Sequence, residues 1–262
     1  MLEEDTKDGS GDGTSDVKSG DSSPQSGDSA PQGATRRGRE TGKLWRAETA
    51  YLVALAAFAV LAVCARAYAY FGWDLELALA LQSVNAPWFA ALMDAASTFG
   101  NNWHGWALTT LSVLLFFVFG RRSEAAGLLV SASGGELVNR LIKILIARPR
   151  PSVGLVSVAY AEHSQSFPSG HVTFYVCFFG FLFFVAYALL PRRTNLRRLA
   201  LVLTALPVLL VGPSRVYLGE HWPSDAIGAY LFGGLWLAFS LHMYQRWKKR
   251  ATFHLHARPV GD

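Results

Sequence analysis

Six times between residues 49 and 247 the sequence settles into a long apolar run: 49–71, 102–119, 123–147, 171–190, 196–217 and 224–247. Each holds about 18–25 residues, the length a helix needs to cross ~30 Å of hydrocarbon. None shows the strict alternation of a strand, and no internal repeat is visible. Charged residues make up only 16% of the chain, against about 25% in soluble domains, and they crowd outside the runs. The expected fold class is all-α: a polytopic membrane protein with six transmembrane helices over residues 45–247 and a helical-bundle core. That pattern points away from an ordinary soluble enzyme. The expected partner is the lipid bilayer, with no nucleic acid.

The flanks differ in character. Residues 1–44 are rich in Asp, Ser and Gly, too polar to offset their ordering entropy, and are expected to be a disordered cytoplasmic tail. Residues 248–262 are expected to be a basic cytoplasmic tail, with His254 and His256 as ordinary tail residues. Residues 72–101 carry acids and short apolar stretches, and should form a helical hairpin at the interface. Trp103, Trp106, Trp222 and Trp247 fall near predicted helix ends, as interfacial aromatics do. Cys64 and Cys177 lie inside apolar runs without metal-ligand spacing, as small buried hydrophobes do.

Lys and Arg set the orientation. With the N-terminus in the cytoplasm, the cytoplasmic segments hold Arg36, Arg37, Arg39, Lys43 and Arg46, then Arg121 and Arg122, then Arg192, Arg193, Arg197 and Arg198, and finally the tail "RWKKR". Both termini are then inside. Arg148, Arg150 and Arg215 break this bias, and all three fall on the outer side.

Other polar residues gather around those exceptions. The third run ends with Lys143, Arg148, Arg150 and Pro151; the fourth opens with Pro168, Ser169, Gly170 and His171; the fifth ends with Ser214 and Arg215; the sixth begins near His221 and Asp225. Antiparallel helices bring these ends to one side of the membrane. Lys143 and Arg150 are two helical turns apart and can share a face. A charge at Lys143, inside an apolar run, is costly unless it has a task or snorkels outward. The Ser169-Gly170 turn starts a helix, so free backbone N–H groups and a positive dipole end meet there. His221 and Asp225 are four apart, so the carboxylate can hold one imidazole tautomer and leave the other nitrogen free to attack. The expected assembly is an anion site with an acid–base pair.

The stretches "KILIARPRP", "PSGH" and "SRVYLGEHWPSD", in this order, resemble the three motifs of the type 2 phosphatidic acid phosphatase superfamily, which includes bacterial acid phosphatases and vanadium haloperoxidases. Eleven motif positions match without a departure. The motifs cover 143–225, and the six-run layout extends the likeness to about 45–247. The resemblance implies that Lys143, Arg150 and Arg215 bind phosphoryl oxygens, with Ser169 and the Gly170 amide adding hydrogen bonds. It implies that His221 attacks phosphorus, that Asp225 orients it, and that His171 protonates the leaving oxygen. Arg148 and Ser214 are possible further contributors. No metal and no other cofactor is expected, because ammonium and guanidinium groups supply the positive charge.

The expected activity is hydrolysis of a membrane lipid phosphate or diphosphate, phosphatidic acid-like or undecaprenyl diphosphate-like, at the outer face of the cytoplasmic membrane. Alternatives are phosphate transfer between lipids, a vanadate-dependent peroxidase and a non-enzymatic lipid transporter. Glu136 and Arg140 are expected to pair and join helices, Gly134 and Gly135 to permit close packing, and Glu162 and His163 to be solvated loop residues.

Overall fold

The computed structural model describes residues 32–160, 162 and 164–256. The chain divides into two compact units, Met1–Trp45 and Arg46–Asp262; the packing below belongs to the second. The expected disordered tail lies, for residues 1–31, outside the described residues, while 32–44 are helical and open the first helix. Every regular element among the described residues is helical: α1 (Gln32–Ala67), α2 (Gly72–Gln82), α3 (Pro87–Ser97), α4 (Asn102–Val118), α5 (Arg122–Leu129), α6 (Gly135–Ile146), α7 (Gly170–Leu189), α8 (Asn195–Tyr217) and α9 (Pro223–His256). A 3-10 turn, Thr98–Gly100, follows α3, and a π-helical segment, Val130–Gly134, joins α5 to α6.

Helix α7 is the centre of the bundle. Its sequence is apolar on all sides, so it needs neighbours all round; 61% of its apolar window is buried, against 11% for α1. It packs mainly on α8 and α9. Val172, Tyr175, Phe178 and Phe181 from α7 and Val211 and Ala229 from its neighbours fill the core. Helix α1 docks through Ala62 and Ala65 against Phe167, and Phe58 stacks on the Phe167 ring at 6.0 Å.

Among the described residues four helices are long and apolar enough to cross a membrane: Glu48–Ala67, Gly170–Leu189, Asn195–Tyr217 and Pro223–Lys249. Six were expected. The second run forms α4, apolar but only 17 residues long. The third is split by the π-helical segment into α5, of 8 residues, and α6, of 12; Glu136, Arg140 and Lys143 of α6 line a cavity while its Leu137, Leu141, Ile144 and Leu145 are exposed. A helix with one lipid-like face and one charged face has a low mean hydropathy. The π segment has a visible cause. Trp236 Nε1 of α9 donates to Val130 O at 3.1 Å and so occupies a carbonyl of the loosened ladder, while Ser131 Oγ ties the segment to α7 by donating to Cys177 O at 2.8 Å.

Helix α8 is opened in a similar way before its Arg215 end. Pro213 cannot continue the backbone ladder. The Tyr230 hydroxyl accepts from Gly212 N at 3.1 Å and donates to Val208 O at 2.6 Å, standing between two groups that would otherwise bond each other.

The 72–101 segment forms two short helices, α2 and α3, with Pro87 at the start of α3, where its missing N–H costs nothing. Trp222 departs from the interfacial expectation. It is 1% exposed, stacks on Tyr70 at 5.0 Å and belongs to a core with Ala78, Val156 and Val216. The Glu136–Arg140 pair, 3.0 Å long, lies within one helix and joins no others. Gly134 and Gly135 do permit close packing: a Cβ at either would meet Trp236 at 2.8 and 3.0 Å. Cys177 is buried and Cys64 half-buried.

Candidate active site

Helix α4, the π segment, α6, the start of α7 and the turn that carries His221 surround a cavity of about 700 Å3, while Ser169, Arg215 and Asp225 lie outside its lining. Lys143, Arg150, Gly170, His171 and His221 all line it. Residues far apart in the chain are thus brought to one volume.

His221 sits in the turn between α8 and α9 and is 1% exposed. That turn requires Gly219, which has φ +69 and whose Cβ would lie 1.9 Å from Ser157 O. The Glu220 and His221 amides both donate to Arg215 O, at 3.1 and 3.3 Å, which fixes the imidazole relative to α8. On one side of the ring, Nδ1 lies 3.4 Å from Ser166 Oγ and 3.6 Å from Asp225 Oδ2. On the other, Nε2 lies 3.4 Å from Arg150 Nη1. This arrangement favours the Nδ1–H tautomer and leaves the Nε2 lone pair toward the cations. Burial, then the charges of Arg150, Lys143 and Arg215, hold the His221 pKa well below its ordinary 6.5. The free ring is therefore neutral at neutral pH.

Asp225 reaches His221 less directly than the four-residue spacing suggests. Its Oδ2 accepts from Trp222 N at 2.9 Å and from the Ser166 hydroxyl, while Oδ1 pairs with Arg148 Nη1 at 2.6 Å. Arg148 in turn pairs with Asp74 Oδ2 at 3.0 Å, and the Asp74 and Arg148 side chains have no exposed surface. Ser224 bonds to both Asp74 and Arg148. Arg148 therefore faces Asp225 and α2, away from the cavity.

Each predicted phosphate ligand has a defined setting. Lys143 Nζ donates to Gln165 O and, at 3.5 Å, to Ser166 O. Arg150 donates to Glu220 O at 2.7 Å and to Ser164 O at 2.8 Å, and pairs with Glu162 at 2.7 Å. Arg215 is 1% exposed; it pairs with Glu220 and donates to Ser97 Oγ. Among the described residues six buried side-chain polar atoms lack a protein partner, and two of them, Ser169 Oγ and Arg215 Nε, belong to the predicted phosphate set. Gly170 opens α7 on the cavity wall, with the Lys143 stem 3.9 Å from where a Cβ would stand. Ser214 is turned away and bonds Met93 O. His171 Nε2 lies 2.8 Å from Asn101 Oδ1.

Sequence reasoning missed Ser166, Asp74, Ser97, Asn101 and Glu220 as parts of this assembly. Ser166 had a signal, since it opens the "SFPSGH" stretch, and Glu220 stands beside His221. Asp74, Ser97 and Asn101 lie in a distant segment with no motif. Glu162 faces the cavity rather than only solvent, and His163 is outside the described residues.

The cavity brings two histidines together with the cations Lys143 and Arg150, a set that suits phosphoryl transfer. Residues 124–249 match the PAP2 superfamily model. The chain is 27% identical over 178 residues to phosphatidylglycerophosphatase B of Bacillus subtilis, covering 67% of this chain and 85% of that one. It is 33% identical over 168 residues to decaprenylphosphoryl-5-phosphoribose phosphatase of Mycobacterium tuberculosis, covering 60% and 84%. In fold it resembles the crystal structure of a transmembrane PAP2-type phosphatidylglycerolphosphate phosphatase from Bacillus subtilis, with a TM-score of 0.62 at 23% identity over 80% of this chain and 98% of that one. The chain belongs to the PAP2 superfamily and is a phosphoric-ester hydrolase.

Proposed function

We propose that the protein is an integral-membrane lipid phosphatase that removes phosphate from a lipid phosphate or diphosphate through a phosphohistidine at His221. The observation that carries this reading is the convergence of Lys143, Arg150, His171 and His221 on one cavity. That cavity opens beside Trp103, Trp106 and Ile144, residues suited to the apolar part of a lipid. Phosphoryl oxygens take the donors of Lys143, Arg150 and Arg215, with Ser169 and the Gly170 amide. His221 Nε2 attacks phosphorus as His171 gives a proton to the leaving oxygen. Water then attacks the phosphohistidine, and His171 takes the proton back.

The membrane arrangement follows from the same residues. Helix α4 has 17 residues, a rise of about 26 Å, and crosses with local thinning of the bilayer to make up the difference. Helices α5 and α6, through the π segment, provide the third crossing with their charged face turned to the cavity. Six crossings put both termini in the cytoplasm and the site at the outer face of the cell membrane, in line with the Lys and Arg bias.

The test is phosphate release in detergent from a panel of lipid phosphates, including phosphatidic acid, phosphatidylglycerophosphate and a polyprenyl diphosphate. Release should persist in EDTA, because fixed cations supply the charge, and should be inhibited by vanadate. EDTA loss rescued by Mg2+ contradicts the metal-free mechanism, and inactivity on the whole panel contradicts the function. A phosphorylated acceptor lipid in place of free phosphate would reassign the protein as a phosphotransferase.

The pH profile gives an independent check. Protonation removes the nucleophilic lone pair, and the depressed His221 pKa keeps that lone pair available below pH 6.5. The acid limb of kcat/KM, which reports the free enzyme, should therefore lie on the acid side of 6.5. A limb above 6.5 contradicts the assignment of His221 as a neutral nucleophile held among cations.

A further inference from the structure

Asn101 begins α4 as its N-cap, a position where an Asn side chain ordinarily bonds the helix's own free amides. Here it makes no such bond. Its Oδ1 lies instead 2.8 Å from His171 Nε2. The turn that carries Asn101 is fixed against α7. Tyr175 OH donates to Ala96 O at 2.7 Å, and Phe99 meets Phe179 edge-on at 6.1 Å. Gly100 lies against the imidazole itself, since a Cβ there would fall 2.4 Å from His171 Cδ2. The ring is held at its edge by an amide and on its flank by a residue that must lack a side chain.

We propose that Asn101 is a positioning residue for His171, fixing the imidazole through Nε2–H so that Nδ1 carries every proton the reaction moves. This rests on the proposed acid–base role of His171. In the first half-reaction His171 is an imidazolium. The His221 Nε2 lone pair forms a bond to phosphorus, the phosphorus–oxygen bond to the lipid alcohol breaks, and that oxygen takes the Nδ1 proton. In the second, a water oxygen bonds phosphorus, the phosphorus–nitrogen bond breaks, and the water proton goes to Nδ1. Throughout, Nε2–H stays donated to Asn101 Oδ1. An amide oxygen serves both states, because it accepts from neutral imidazole and from imidazolium alike without adding a charge. A carboxylate in its place would favour the imidazolium and hinder the second step.

The test uses two phosphate monoesters on the full-length enzyme in detergent. The leaving oxygen of dodecyl phosphate needs a proton; that of p-nitrophenyl phosphate leaves without one. Asn101→Ala should lower kcat/KM for dodecyl phosphate by about 10–100-fold and leave p-nitrophenyl phosphate within about twofold. The second ester thereby reports that the variant is folded. Asn101→Asp should move the basic limb of the dodecyl phosphate profile to higher pH. The other titratable groups acting on His171 are Arg215, His221, Arg150 and Lys143, with Glu136, Arg140 and Glu162 on the same cavity wall, and all are unchanged by the substitution. His171→Ala is the control and should show the same dependence on the leaving group. If His171→Ala shows it while Asn101→Ala is neutral, or loses both esters equally, the proposal is overturned. An unmoved basic limb in Asn101→Asp also overturns it. Equal losses for both esters in His171→Ala would instead remove the acid role of His171, and the proposal with it.

Discussion

Replacing His221 with alanine should reduce phosphate release by on the order of 10^4-fold or more, because no other group can take over bond formation to phosphorus. Its Nε2 is the ring nitrogen turned to Arg150, and Ser166 and Asp225 lie on the far side of the ring. Phosphate binding should survive the substitution, since Lys143, Arg150 and Arg215 keep their own partners on Gln165, Ser164 and Ser97. The expected outcome is therefore loss of kcat with vanadate affinity largely retained. Single-turnover phosphate release and vanadate protection against thermal unfolding measure the two separately. Residual activity within about tenfold of the wild type would show that a different nucleophile operates.

A second large effect is expected away from the cavity, at Arg148. Its guanidinium lies between Asp74 and Asp225, and its side chain and theirs have no exposed surface. Arg148→Met removes the cation that pairs with two buried carboxylates, each of which keeps other hydrogen bonds. Breaking a buried pair in this way costs about 3–5 kcal/mol, and for a chain of this size that lowers the Tm by on the order of 10 °C. Adding Asp74→Asn should recover part of the loss, because one of the two uncompensated charges is then gone. Arg148→Met with an unchanged Tm would contradict the structural role. Selective loss of substrate affinity at unchanged Tm would instead return Arg148 to the phosphate site, where the sequence alone allowed it.

Arg148 also marks how far the sequence could be read. Lys143, Arg150, Gly170, His171 and His221 were legible because helix ends collect on one side of a membrane and positive charge there is conspicuous. The direction in which each side chain turns was not legible. Arg148 and Arg150 are two residues apart on one loop, yet one faces a buried carboxylate and the other the cavity. That choice depends on Asp74, whose hydrogen bonds to Ser224 span 150 positions. Ser214, beside Arg215, is likewise taken by a backbone carbonyl of α3. Asn101 looked like an ordinary helix start. Only packing against α7 reveals that its amide has left the helix for His171.

The fold divides the same way. Uniformly apolar runs such as α7 were readable from length and hydropathy, since nothing in them opposes burial. The break in the third run was not, because no Pro marks the π segment that divides it into α5 and α6. Trp222 was misplaced for a related reason: a Trp near a helix end can serve the interface or fill a core, and Tyr70 and Ala78 decide for the core.

The central claim, that His221 is the nucleophile in this cationic cavity, is tested most directly by trapping the intermediate. His171→Ala should form the phosphoenzyme from p-nitrophenyl phosphate, whose leaving group needs no acid, and hydrolyse it slowly. Acid-labile, alkali-stable phosphate recovered on the peptide containing His221 after rapid quenching is the predicted result. Phosphate on any other residue, or turnover without a covalent phosphoenzyme, would contradict it.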